Sequence, residues 1–462
     1  MIDFFRYSRV LALGAFSALA ALGSGIDLIS DPGFKDDIPA FGPFVAAQTA
    51  DTTQLKQIVI FGRHAVRTPI APNSVLNGFS ALGYPTFAVP GLAVITPNGK
   101  TNETILGGYF RLWLTQEKLL TGNDAADAAF VYFRSNNTPL IVDTAQAFAT
   151  GMLPAATVSI DTTSTSDPLF NPVDAGVAEL NEGMAVAAVN GRLGGSPQSL
   201  ATAYATEIAL VRSVLFHYPG SMTPAPAAPA GINDVTAIPI SATAGSSSLP
   251  VNLGGLEMID TAIDPFVMEY ADGMAPSDVG WGQLNAGSIS QIFRLYDRLL
   301  DLEFRTPYLA RVQSSNVASH IVRSMVQAAT GNAMTGALGT PSDKIIALTA
   351  SNTNISGLAS LFDLDWLVPG YQADVAAPGG ALVFELRQSQ TTGEYIVRAS
   401  YITQTMDQLH NRTALTLTSA PAIAPLFIPG CSIRNATFDC PLEGFVRVAG
   451  RAIDPHSADL VN

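Results

Sequence analysis

Three short, largely apolar runs constrain this fold most: Leu55 to Phe61, Ala129 to Phe133 and Ile345 to Thr349. Each has the length and composition of a buried strand, and each leads through polar residues into a helical pattern. Apolar residues recur at three- and four-residue spacing over Glu103 to Leu120, Asp143 to Met152, Ser199 to His217, Ser288 to Glu303 and Ser315 to Ala329. Strands that alternate with helices predict an α/β fold with a central mixed or mainly parallel sheet flanked by helices. Open α/β sheets gather their chemistry just past the carboxyl ends of the strands. Arg63 to Arg67, Ser135 to Leu140 and Ala350 to Asn354 are therefore expected to meet in space.

The first of these junctions carries unusual chemistry. It runs Phe61-Gly62-Arg63-His64-Ala65-Val66-Arg67-Thr68-Pro69 and puts two guanidinium groups beside one imidazole. Arginine offers a planar, permanently charged fork suited to phosphoryl oxygens. A neutral imidazole nitrogen can attack phosphorus and form a phosphohistidine. An Arg-His pair on its own is more often structural, so the pattern needs its surroundings to carry weight. The chain as a whole repels anions: Lys and Arg number 24 against 38 Asp and Glu, a net charge of −14. Nucleic acid and anionic membranes are thus excluded as partners, and a small phosphorylated or anionic ligand has to be held by local arginines. His217, His320, His410 and His456 are scattered without ligand spacing, so neither a metal nor a cofactor is expected. Ser351 lacks a Gly-x-Ser-x-Gly elbow, which weighs against a serine hydrolase.

Export is expected from the amino terminus. Arg6 and Arg9 precede an uncharged run, Val10 to Leu22, with small residues at Ala21-Leu22-Gly23. This has the form of a signal peptide over residues 1–23; the run is short for a bilayer span, and an uncleaved anchor is the alternative. A linker or loose arm follows over 24–54, and the mature protein is expected in the periplasm or outside the cell. Cys431 and Cys440 are the two cysteines of the chain. In an exported protein they are expected to join, with a pair of free thiols as the alternative. Closing so short a loop contributes roughly 2–3 kcal/mol in the chain-entropy picture. Tyr218 to Gly255, rich in Pro, Ala, Ser and Gly, is expected to be an irregular connection, and Ala381 to Arg387 with Glu394 to Tyr401 a hairpin.

The Arg63 to Pro69 run resembles the Arg-His-Gly-x-Arg-x-Pro signature of the histidine acid phosphatases, in the branch of bacterial phytases and glucose-1-phosphatases, with Ala65 in place of Gly. Further matches follow in order: Thr96-Pro97-Asn98-Gly99, Gly107 to Arg111, Phe266 to Tyr270, Gly280-Trp281-Gly282, Arg305-Thr306-Pro307, Thr353-Asn354, Trp366, Pro369-Gly370 and Pro378 to Glu385. The Cys431 to Cys440 spacing is similar to a disulfide of that branch. The resemblance implies an α/β domain in two parts, 55–155 and 315–462, with a mostly helical second domain, 156–314, inserted between them.

It also implies His64 as nucleophile and Arg63 and Arg67 as phosphate ligands, and it exposes departures. Where the family has a His-Asp pair after its third strand, this chain has Ser351-Asn352, so the imidazolium and the acid that protonates the leaving oxygen are both replaced. The family's third phosphate-binding arginine falls on Leu140, and the Thr that often ends the first motif is Ile70. Glu269, Asp272 and Asp363 are conceivable substitute acids that the sequence does not place. The expected function is binding of an organic phosphate or related anion with weak or altered phosphomonoester hydrolysis through a phosphohistidine. The alternative is an inactive pseudophosphatase serving as a ligand-binding or interaction protein.

Overall fold

The computed structural model describes residues 51–459; the expected signal peptide and residues 24–50 of the expected arm lie outside the described residues. The strands are β1 (Thr53–Arg63), β2 (Val131–Ser135), β3 (Ile240–Ala244), β4 (Val251–Gly254), β5 (Ile345–Ala350), β6 (Ala381–Ser389), β7 (Tyr395–Thr403), β8 (Ala422–Leu426) and β9 (Cys440–Pro441). The longer helices are α1 (Pro97–Gln116), α2 (Pro139–Met152), α3 (Glu182–Arg192), α4 (Ala205–Leu215), α5 (Gly255–Ala271), α6 (Arg294–Glu303), α7 (Pro307–Thr330), α8 (Asn352–Leu361) and α9 (Leu442–Ala452).

The three apolar runs form the parallel part of one mixed sheet, ordered β2-β5-β1-β6-β7-β8, with β9 paired to β7. β5 lies between β2 and β1 and is parallel to both, while β6 runs antiparallel along the other side of β1. Residues on β1 alternate between two cores, as the period of a strand requires. Ile58 and Ile60 pack with Leu106, Phe110, Phe148 and Met152 of α1 and α2. Val59 and Phe61 pack with Val317, Ile321, Ile355 and Phe445 of α7, α8 and α9 on the opposite face. Helices α1 and α2 approach so closely that a Cβ on Gly107 would stand 2.1 Å from the Phe148 carbonyl oxygen, and one on Gly151 2.0 Å from that of Thr104. Only glycine fits at either crossing point.

Between β2 and β5 the chain is mainly helical. A separate core there includes Val189 of α3, Val211 of α4, Ile259, Ile263 and Phe266 of α5, and Leu295 and Leu299 of α6. The segment from Tyr218 is less irregular than its composition suggests, since it contains the β3–β4 hairpin. Two expected helices are each divided. The first breaks at Tyr204, whose φ and ψ of −108° and 24° leave the helical region; the second is split at Phe293 into Ala286–Ile292 and α6. Cys431 and Cys440 are joined, with their Cα atoms 5.2 Å apart, and the bond fastens β9 beside β7. No described helix is long and apolar enough to cross a membrane.

Candidate functional site

The carboxyl ends of β1 and β5 lie side by side, with Arg63 in register with Ala350. The chain then turns inward. The His64 amide donates to the Ala350 carbonyl at 2.9 Å, and the Ala65 amide donates to Thr144 Oγ1 of α2 at 3.2 Å. From the β6 side, the Arg63 amide donates to the Gly380 carbonyl at 2.8 Å and the Gly379 amide to the His64 carbonyl at 3.1 Å. Gly379 has φ +70°, and a Cβ on Gly380 would sit 2.1 Å from the Tyr401 hydroxyl, which explains the Pro378-Gly379-Gly380 sequence at this point. The end of β5, the segment entering β6 and helix α2 thereby hold the backbone on both sides of His64.

Arg63, His64 and Arg67 are all buried, at 4%, 5% and 6% exposure, so their electrostatics act with little screening. The His64 imidazole is held well below its ordinary pKa by burial first, then by the charges of Arg63 and Arg67. It is therefore neutral. Its Nδ1 lies 2.9 Å from the Ala65 carbonyl. A carbonyl only accepts, so Nδ1 carries the proton and Nε2 carries the lone pair. This is the protonation state a nucleophilic imidazole needs.

The two arginines are not equally free. Arg63 Nη1 donates to the Ala376 carbonyl at 2.5 Å, while its buried Nε has no partner among the described residues. Arg67 is engaged by a carboxylate: Nη1 and Nη2 each donate to Asp264 of α5 at 2.9 Å. Burial alone would lower the Arg67 pKa, but Asp264 outweighs it and holds the guanidinium above its ordinary value. Asp264, Asp260 one turn before it and Tyr296 of α6 complete this side of the site, and sequence reasoning missed all three. The signal for the two aspartates was their four-residue spacing in a mostly apolar stretch, Gly255 to Ala271, which also carries Glu257 and Glu269.

Each departure from the resembled motif has a definite place. Leu140, in the first turn of α2, packs with Ala65, Ile95 and Ile141, directly against the Arg63 to Arg67 segment. Ser351 stands before α8, where its hydroxyl lies 2.6 Å from Thr353 Oγ1 and donates to Asn354 Oδ1 at 2.7 Å. It is thus tied into the helix start. Asn352 Nδ2 donates to the Tyr296 hydroxyl at 2.7 Å, linking the turn after β5 to α6. Glu269 accepts from the Gly280 amide at 3.0 Å, and exposed Asp363 faces a surface cavity with Pro307 and Arg451; neither adjoins the Arg63 to Arg67 run. Asp272 lies at the far end of α5, where its carbonyl takes the Asn98 side chain. Beside Arg63 lies a small cavity, about 30 Å³, walled by Phe293, Tyr296, Tyr371, Val375 and Pro378. Of its described lining residues, Arg63 alone is charged.

Residues 54–212 match the family model of the histidine phosphatase superfamily, branch 2. Two curated proteins align along nearly the whole chain. The phytase AppA of Escherichia coli is 26% identical over 90% of this chain and 96% of its own length; a glucose-1-phosphatase of Salmonella typhimurium is 26% identical over 88% and 94%. Solved structures agree. Hafnia alvei phytase in complex with tartrate superposes with a TM-score of 0.78 at 27% identity, covering 89% of this chain and all of that one. By family model, curated relatives and fold, the chain is similar to the histidine phosphatase superfamily. The same phytase in complex with myo-inositol hexakis sulphate superposes with a TM-score of 0.78 at 28% identity. In this chain Arg63, His64 and Arg67 stand at and just past the end of β1, beside the turn that leaves β5.

Proposed function

We propose that this protein, like the histidine phosphatases it resembles, binds an organic phosphate and hydrolyses it weakly or with altered preference, through a phosphohistidine on His64. The observation that carries the reading is the neutral His64 ring, with Nδ1 on the Ala65 carbonyl and Nε2 unencumbered, set between two guanidinium groups. Arg63 and Arg67 would hold the phosphoryl oxygens while Nε2 attacks phosphorus in line with the leaving oxygen. The relatives are named phytase and glucose-1-phosphatase, and solved phytases bind tartrate and an inositol sulphate, so an anionic ligand suits the scaffold.

The altered preference follows from charge. Leu140 gives the anion an apolar neighbour in place of a third cation, Asp264 already occupies Arg67, and the cavity beside Arg63 is walled by aromatic and aliphatic groups. A monoester with an apolar or aromatic leaving group is favoured by these surroundings over a ligand bearing many phosphates. One observation supports the second reading, an inactive ligand-binding protein: Asn352 has no acidic proton, and its amide is engaged by Tyr296. Export to the periplasm or the extracellular space, signal-peptide cleavage within 1–23, and the division of the fold into 55–155, 156–314 and 315–462 belong to the same proposal.

The test is turnover of 4-nitrophenyl phosphate and of an alkyl phosphate by purified protein and by His64→Ala. Hydrolysis that His64→Ala abolishes is expected. Absence of turnover with both esters, in protein that still binds phosphate, would favour the second reading.

A further inference from the structure

Asp260 and Asp264 lie four residues apart on α5 and so project from the same helical face. Asp264 meets Arg67 with both oxygens, whereas Asp260 Oδ1 is buried with no hydrogen-bond partner among the described residues. An ionised carboxylate without partners in such a place is costly; a protonated one is far less so. We propose that Asp260 is the proton donor of this phosphatase site, supplying from α5 the acid that Asn352 cannot supply from the turn after β5. The inference rests on the phosphohistidine reading and goes beyond it by naming a catalytic residue.

The charged and titratable groups around Asp260 come from three directions. Asp264 and Glu257 share its helix; Arg63 and Arg67 face it from β1 and the segment after it; Tyr296, Asp297 and Glu303 face it from α6. Burial, followed by the charge of Asp264, pushes the Asp260 carboxyl up to about 8 against the opposing pull of Arg67 and Arg63. Asp297 and Glu303 are likewise raised well above the carboxylate range, chiefly by burial, so the interior beyond Asp260 also favours neutral acids. A bound phosphate dianion adds negative charge and holds the Asp260 proton more firmly still. Tyr296 is a poorer candidate, because burial pushes its phenol further above an already high pKa.

The step balances without any co-reactant but water. His64 Nε2 forms the N–P bond as the ester P–O bond breaks, and the leaving oxygen takes the Asp260 proton and departs as the alcohol. The Asp260 carboxylate then removes a proton from water as that oxygen bonds phosphorus. The N–P electron pair returns to Nε2, phosphate leaves, and Asp260 is again protonated.

The variants Asp260→Asn and Asp260→Glu, assayed from pH 5 to pH 10 with 4-nitrophenyl phosphate and ethyl phosphate, test this directly. Asparagine matches a protonated aspartate in size, and near-ultraviolet circular dichroism verifies that the fold is kept. Asp260→Asn should lower kcat/KM for ethyl phosphate by roughly 10²–10⁴-fold and for the aryl ester far less, because nitrophenolate leaves without a proton. In the unaltered protein kcat/KM for ethyl phosphate should decline above about pH 8; that decline should vanish in Asp260→Asn, and Asp260→Glu should recover part of the activity. Equal loss with both esters, or an Asp260→Asn variant as active as the original with the same alkaline decline, would overturn the assignment of Asp260 alone. An unaltered protein inert toward both esters would instead overturn the phosphatase reading and Asp260 with it.

Discussion

Arg67 and Asp264 show how much of this site is internal compensation. Their side chains are 8% and 9% exposed and meet through two 2.9 Å hydrogen bonds. Removing one member leaves an uncompensated buried charge, so Asp264→Ala should destabilise the protein by about 3–5 kcal/mol in urea denaturation. A loss below about 1 kcal/mol would mean that water already reaches the pair. The departures at Leu140, Ser351 and Asn352 make a complementary prediction. Since Leu140 and Ser351 stand where the resemblance places cationic groups, the combined change Leu140→Arg, Ser351→His and Asn352→Asp, the last adding an acid at the turn after β5 to the one on α5, should raise alkyl phosphate turnover; each alone should do less, since such groups act as a unit. A folded triple variant with no gain would place the defect elsewhere in the pocket.

Among the elements, α5 decides the character of the site, because it brings carboxylates from the helical middle of the chain to the end of the sheet. The tie between α6 and α8, Asn352 Nδ2 to the Tyr296 hydroxyl, is a second such contact. Tyr296→Phe should cost about 0.5–1.5 kcal/mol of stability, read from the urea midpoint. The β1, β2 and β5 strands were legible in the sequence because a strand covered on both faces leaves a continuous apolar run. The meeting of Arg63, Leu140 and Ser351-Asn352 was legible because parallel strands deliver their ends to one edge. Helix α5 was not. Pro265 lies within it and acids interrupt its apolar face, so the local pattern looked irregular, while tertiary packing buries Ile259, Ile263 and Phe266 and fixes the helix. Without α5, neither the Asp264 pairing nor the position of Asp260 could be read from spacing.

The molecule as a whole should be most stable in mild acid. Burial raises Asp260 and Glu269 to about 8 in the folded state, whereas an unfolded chain ionises them near 4. The native state therefore holds protons that the unfolded state has lost between those values. That contribution to stability is complete below about pH 4 and is lost as pH rises through about 8. Mutual repulsion within a chain of net charge −14 acts in the same direction. At the other end Asp439, which burial would raise but Arg398 and its other partners hold low, withdraws stability only in stronger acid. Thermal midpoints should fall from pH 5 to pH 9, and Glu269→Gln should flatten the slope; a midpoint that rises over that range would contradict the assignment of buried neutral acids.

The central claim is that His64, neutral between Arg63 and Arg67, takes the phosphoryl group. Acid-quenched or alkali-quenched mixtures with 4-nitrophenyl phosphate, digested and measured by mass spectrometry, test it most directly. The expected result is a base-stable, acid-labile phosphoryl adduct on the peptide containing His64, absent from His64→Ala. Sustained turnover with that peptide unmodified throughout, or turnover surviving His64→Ala, would contradict the account.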